Sequence, residues 1–321
     1  MRKSLCFLAG LGAIVIAASC NKKAASVEES EVVFQIEISQ GPSTKVDGVS
    51  EAALVDTLNV FVFDADSSYI STIVPTVTKT DQTHYNVKIR LLNNVTYHFA
   101  FFAQKKGTYA FSSDKKTIAI DYTGMSANSD ASDAFFAHIN GYTVSGSFTR
   151  SVTLSRPFAQ INFGAVKADY QAAAASQVAF DETLNTAITV KQAPTVLNLL
   201  SGEVSAPTDV SFLPAVYMGN TAASANLTVT PEAFPGATPV RYMGMVYILA
   251  DAETASTLSK VTMSISGLQN GSAFSSSRDV TNVPVRRNFR TQIVGNVFTD
   301  EGTFNITLVP VYDTPDNEEN L

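Results

Sequence analysis

The chain has 321 residues, of which 22 are Lys or Arg and 29 are Asp or Glu, for a formal net charge of −7. This acidic balance, with no basic patch, argues against nucleic acid or an anionic membrane surface as an electrostatic partner. Two cysteines, three histidines and no tryptophan leave little material for a disulfide framework, a Cys/His metal centre or a tryptophan sugar platform.

The first residues read as an export signal. Arg2 and Lys3 give a positive start, an apolar run from Cys6 to Ala18 follows, and Ala17-Ala18-Ser19 puts small residues ahead of Cys20. The run falls short of the about 20 residues that span a bilayer. Small residues followed directly by Cys resemble the lipobox of bacterial lipoproteins, although Ala17 stands where Leu is commoner. Residues 1–19 are therefore expected to be a lipoprotein signal, with Cys20 the lipidated first residue of the mature chain. Taking Arg2 and Lys3 from the 22 basic residues leaves 20 against 29 acidic ones. Cys6 would leave with the signal, so core packing alone must hold the fold. Acyl chains on Cys20 would be the attachment to the membrane.

Residues 20–31 are polar and read as a tether. Val32, Phe34, Ile36 and Ile38 then alternate with Val33, Gln35 and Glu37, the period of a half-buried strand. After a Gly/Ser/Pro-containing loop come strand candidates at Leu58–Phe63, Tyr69–Val74, His84–Leu91 and Val95–Phe102. The last two are expected to form a hairpin at Asn93-Asn94. Ser147–Leu154 and Phe158–Phe163 are strand-like, Tyr170–Phe180 suggests a short helix, and Ala187–Val190 another strand. Further candidates are Val210–Met218, Ala225–Thr230, Val240–Leu249, Lys260–Ser266, Phe289–Val297 and Phe304–Val309. Asp251 is a candidate cap for a short helix through Leu258. Many short strands and little helical period predict a mostly β chain. The expected arrangement is two tandem β-sandwich domains of transthyretin-like or Greek-key type, at residues 32–204 and 205–321.

The search for chemistry is mostly negative. His84, His98 and His138 show no metal-ligand spacing, and structural or surface roles suit them better. Asp64-Ala65-Asp66-Ser67-Ser68 imitates a calcium loop but has Tyr69 where Gly is required and Pro75 where Glu is required, so it reads as a turn. No nucleophile elbow or phosphate loop appears. No enzyme activity and no cofactor are expected; a hydrolase is the third reading. Glycan binding is a nearer rival, with exposed Tyr as the available rings. The Phe residues alternate on strands and read as core.

Four passages carry a resemblance. They are the lipobox at Cys20 with the strand behind it, Leu58–Asp64 (LNVFVFD), Arg156–Phe163 (RPFAQINF) and Val283–Gly295 (VPVRRNFRTQIVG). Together, and in this order, they resemble the fimbrillins, the lipoprotein pilins of type V pili in the Bacteroidia. The resemblance implies a structural and adhesive subunit. It would travel to the outer membrane through lipid on Cys20 and stand exposed at the cell surface. There a protease would cut it after a basic residue, so that its first strand leaves. A C-terminal strand of another pilus subunit would then fill the gap by donor-strand exchange. On this chain the displaced strand would present Val32, Phe34, Ile36 and Ile38. The cut would follow Lys45, where relatives carry Arg. The donor would present Phe304, Ile306 and Leu308. After maturation the subunit would sit in the fimbrium, facing host or bacterial surface ligands. The alternative is a surface-anchored glycan-binding lipoprotein that does not polymerise. Asp56-Thr57-Leu58 also resembles an O-glycosylation site of this phylum; Thr57 as a plain strand start is the other reading.

Overall fold

The computed structural model describes residues 28–39, 55–129, 131–217, 240–251, 255–299 and 304–309. Cys20, Lys45 and the Ala225–Thr230 candidate lie outside the described residues. In chain order the elements are β1 (Glu29–Ile38), β2 (Thr57–Phe63), β3 (Thr76–Lys79), β4 (His84–Leu92), β5 (Thr96–Gln104), β6 (Thr117–Ala119), β7 (Ala134–Thr143), β8 (Phe148–Leu154) and β9 (Phe158–Val166). A helix α1 (Lys167–Ala175) follows, then β10 (Asn185–Ala193), β11 (Val196–Asn198), β12 (Val204–Ser205), β13 (Thr208–Val216), β14 (Val240–Leu249), β15 (Ser256–Gln269), β16 (Ser272–Val285), β17 (Arg290–Gly295) and β18 (Asn305–Val309). The chain is mostly β, as its pattern predicts.

The strands form four-stranded sheets in the orders β3-β4-β1-β8, β14-β9-β17-β18 and β13-β10-β15-β16, with three-stranded sheets β2-β5-β7 and β12-β11-β6. Sheet β2-β5-β7 is apolar on both faces, and this explains its nearly continuous hydrophobic sequence. Leu58, Val62, Phe99, Phe101 and Phe135 point to one cluster of buried side chains, together with Val32, Phe34, Val87 and Leu154. Phe61, Phe63, Phe102 and Phe136 point to the other, together with Phe158, Ile161, Ile188, Met245 and Val261. The middle sheet is thus shared by two cores. Leu154 is the last buried residue of the first cluster, and every buried apolar residue of the two clusters from Phe158 onward belongs to the second. β9 pairs with β14 and β17, and β10 with β13 and β15, so ladders join strands before residue 204 to strands after it.

Three further expectations differ. β4 and β5 are not a hairpin: β4 pairs with β1 and β3, whereas β5 pairs with β2 and β7. Asn94, at φ 60°, turns the chain from one sheet into the other, and its amide donates to Val144 O at 2.6 Å. Tyr69–Val74 makes one bridge, Tyr69 to Phe63, rather than a strand. Leu258 is not helical but pairs with Val283 in the long β15/β16 hairpin. β16 carries little strand pattern, because its exposed positions include Ser275, Ser277, Asp279 and Thr281 and few of its residues are buried. Asn270-Gly271 was the available signal. Their φ values of 50° and 71° fit a tight hairpin turn in which both central residues need positive φ.

Candidate functional site

The strand with the strongest alternation holds the least expected position. β1 lies inside its sheet, antiparallel to β4 on one edge and parallel to β8 on the other. Its register pairs Phe34 with Val87 and Arg150, and Ile36 with Tyr85 and Val152. β4 and β8 have no bond to each other, so β1 is what makes one sheet of them. Beyond the ladder, Ile38 N donates to Thr83 O at 2.8 Å and Ser39 N to Leu154 O at 2.9 Å.

The inward face of β1 is sealed. Val32, Phe34, Ile36 and Ile38 are at most 1% exposed. The Phe34 ring meets Phe99, Phe101 and Phe148 edge to face, with centroids 4.9, 5.2 and 5.8 Å away. Three rings around one make an aromatic socket. Each side chain of this size contributes roughly 1.5–3 kcal/mol by leaving water. Withdrawing β1 would uncover that socket and leave the inner edges of β4 and β8 unpaired, an open template for another strand. Tyr85, opposite Ile36, is held in its protonated form: burial, then the Asp56 charge, pushes its hydroxyl up to about 12.

The C-terminal strand contrasts with this. β18 bonds only to β17, and it is the outer strand of its sheet. Phe304, Ile306 and Leu308 are half-buried. Just before it, the Asp169 carboxylate of α1 accepts from the amides of Val297, Phe298 and Thr299 at 2.5, 3.0 and 3.0 Å, and from Thr299 Oγ1 at 2.8 Å.

The arginines of the two Arg-containing passages are structural. Arg156 Nε donates to Asp133 beneath the Phe135 ring, its guanidinium carbon 4.6 Å from the centroid. Arg287 donates through Nε to Ala250 O at 3.2 Å and through Nη2 to Gly202 O. Arg290 Nε donates to Gln160 Oε1 at 3.0 Å. The Arg287 and Arg290 bonds tie loops and strands together, and the Arg156 pair lies against Phe135 of the smaller cluster.

Nothing described resembles a reaction centre. Among the described residues, no group of three or more His, Cys, Asp or Glu is placed to hold a metal ion. His84 spends Nδ1 on Asp81 at 2.9 Å and on Thr83 Oγ1 at 3.0 Å, and no described serine hydroxyl meets its other ring nitrogen. The Thr83 amide and then His84 hold Asp81 down to about 2. His98 Nδ1 sits 3.3 Å from Asn140 Oδ1 and 3.2 Å from the Gly141 amide. Asp64 Oδ1 accepts from the amides of Asp66 and Ser68, which makes its loop a turn. Thr57 begins β2 and donates to Asp56 Oδ1 at 2.9 Å. Among the described residues every Tyr and Phe is buried or half-buried, Tyr69, Tyr142, Tyr170 and Tyr242 being half-buried. No described helix is long and apolar enough to cross a membrane.

Residues 23–321 match the family described as a family of unknown function, DUF6562. The chain belongs to that family. No curated protein matches the sequence. Solved structures with a similar chain trace include the tip fimbrial protein Mfa3 from Porphyromonas gingivalis with C-terminal truncation. It is 11% identical at a TM-score of 0.47, covering 88% of this chain and 99% of that one. A fimbrial assembly protein from Parabacteroides distasonis is 12% identical at 0.42, covering 88% and 100%. A candidate polysaccharide-binding protein (DUF1812) from Bacteroides thetaiotaomicron is 9% identical at 0.45, covering 91% and 100%. Likenesses this distant carry no functional argument.

Proposed function

We propose that this chain is a structural and adhesive pilus subunit whose first strand is a removable plug. The observation that supports this most is the position of β1. The first strand of the described residues lies between β4 and β8, with its whole apolar face sealed in the core. It joins the rest of the domain through residues 40–54, where Lys45 is the single basic residue. One cut there converts β1 from a covalent member of the sheet into a strand held only by contacts. A strand of another subunit then competes for the same groove by backbone pairing and alternate side-chain pockets.

In this reading Cys20 carries lipid that holds the precursor at the outer membrane, facing outward. The cut after Lys45 releases lipid, tether and β1 together, and the subunit passes into the fimbrium. Phe304, Ile306 and Leu308 are the donor's anchors, and the partners are other pilus subunits, with surface ligands at the exposed end.

Limited trypsin digestion of the purified chain tests the proposal. The expected product starts at Val46 and forms ladders that resist SDS. A compact, uncut product that stays monomeric overturns it. Mass spectrometry of the cell-surface form adds a second check, by showing an N-terminus at acylated Cys20 or at Val46.

A further inference from the structure

Strands β1 and β18 share more than alternation. Phe34-Gln35-Ile36-Glu37-Ile38 matches Phe304-Asn305-Ile306-Thr307-Leu308 position by position. Phe and Ile are identical, an amide stands for an amide, a polar residue for a polar residue, and Leu for Ile. The match runs in the same chain direction. Their environments differ: β1 is bonded on both edges and sealed, whereas β18 is bonded on one edge and half-buried.

We infer that β18 of a second copy of this chain fills the β1 groove in one register, with Phe304 in the place of Phe34, Ile306 in that of Ile36 and Leu308 in that of Ile38. This rests on the strand-exchange reading and specifies its partner and its alignment. The socket of Phe99, Phe101 and Phe148 sets the register, because it closes around a ring at one position of the groove. A one-residue slip would turn Phe304 outward and Asn305 into the core. A two-residue slip would put Ile306 or Gly302 in the socket and the ring where an aliphatic side chain sits. Because the match is direct, the donor runs as β1 does, antiparallel to β4 and parallel to β8. The acceptor exchanges one strand for a near copy of it, and the donor strand moves from a half-buried to a sealed position. A chain with this match is its own partner.

Cysteine pairing reads the register directly. In the inferred alignment Asn305 takes the position of Gln35, which faces Asn86 across the ladder. Two-residue slips would bring it opposite Lys88 or His84 instead. All four positions lie on the outer side, so substitution there leaves the core intact. One batch of the full chain carries Asn305→Cys, and the other carries Asn86→Cys, His84→Cys or Lys88→Cys; both native cysteines are changed to Ser. Both batches are cut between β1 and β2, after Lys45 or at a specific protease sequence placed there, then mixed and oxidised. The expected result is at least about tenfold more disulfide-linked dimer with Asn86→Cys, since a two-residue slip moves a Cα by about 6–7 Å, outside disulfide reach. Excess dimer with His84→Cys or Lys88→Cys overturns the register and leaves strand exchange standing. SDS-resistant ladders without any of the three disulfides show that another strand fills the groove, and the inference falls alone. Loss of ladders and disulfides together removes the strand-exchange reading as well.

Discussion

Arg156 and Asp133 form an ion pair with side chains only 3% and 1% exposed, the guanidinium Nε reaching both carboxylate oxygens at 2.9 and 3.1 Å. The pair sits where the chain leaves the first core for the second. Asp133→Ala would strand a charge away from water, at a cost of about 3–5 kcal/mol. The double replacement Asp133→Leu with Arg156→Met is expected to cost less than Asp133→Ala alone, because no charge is left behind. Urea unfolding of the two variants beside the parent checks the order. Equal or greater loss in the double variant would contradict it.

The alternation of β1 makes a second prediction. Phe34→Ala empties the aromatic socket and is expected to lower stability by about 3–5 kcal/mol. Its neighbour Gln35 is exposed, and Gln35→Ala should stay within about 0.5 kcal/mol of the parent. Denaturant midpoints measure both. A small effect at Phe34 would mean that the groove is loosely filled.

His138 supplies a pH dependence. Burial, then the Arg287 charge, lowers its pKa below the usual 6.5. The folded state therefore resists protonation that the unfolded state accepts. Its contribution to stability is present above pH 6.5 and is lost as the pH falls through 6.5 toward the lower folded value. Thermal midpoints are expected to fall between pH 7 and 5, and His138→Phe should flatten that slope. An unchanged slope in the variant would assign the dependence elsewhere.

Asp169 holds the approach to β18. Asp169→Ala removes the acceptor of three backbone amides, and is expected to destabilise the protein by at least about 2 kcal/mol. Hydrogen exchange at Val297, Phe298 and Thr299 should quicken with it. Protection unaltered at those amides would show that the loop is held by other means.

The sequence reveals most where one face is buried and the other wet. Val32–Ile38 and His84–Leu91 are legible because each inward residue is large and apolar. β16 is not, because Ser275, Ser277 and Asp279 face outward while few inward residues announce a core. The middle sheet misleads in the opposite way. Residues such as Phe101 and Phe102 both read as core, but nothing local says that they serve different cores. Partner choice is the least legible part. The Asn93-Asn94 turn is real, yet a turn signal does not state whether the next strand pairs back or crosses to the other sheet. For the candidate site, the inward side chains of β1 are legible and its neighbours are not. β8 begins 119 residues after the start of β1, and parallel pairing over that span leaves no local mark.

The ladders on both edges of β1 have a mechanical consequence. A strand peeled sideways from a sheet loses its hydrogen bonds one after another, like a zip. A strand pulled along its own axis from between two neighbours loads all of them in shear, and they must yield together. The groove between β4 and β8 therefore grips whatever strand lies in it far more firmly against axial tension than against peeling from one end.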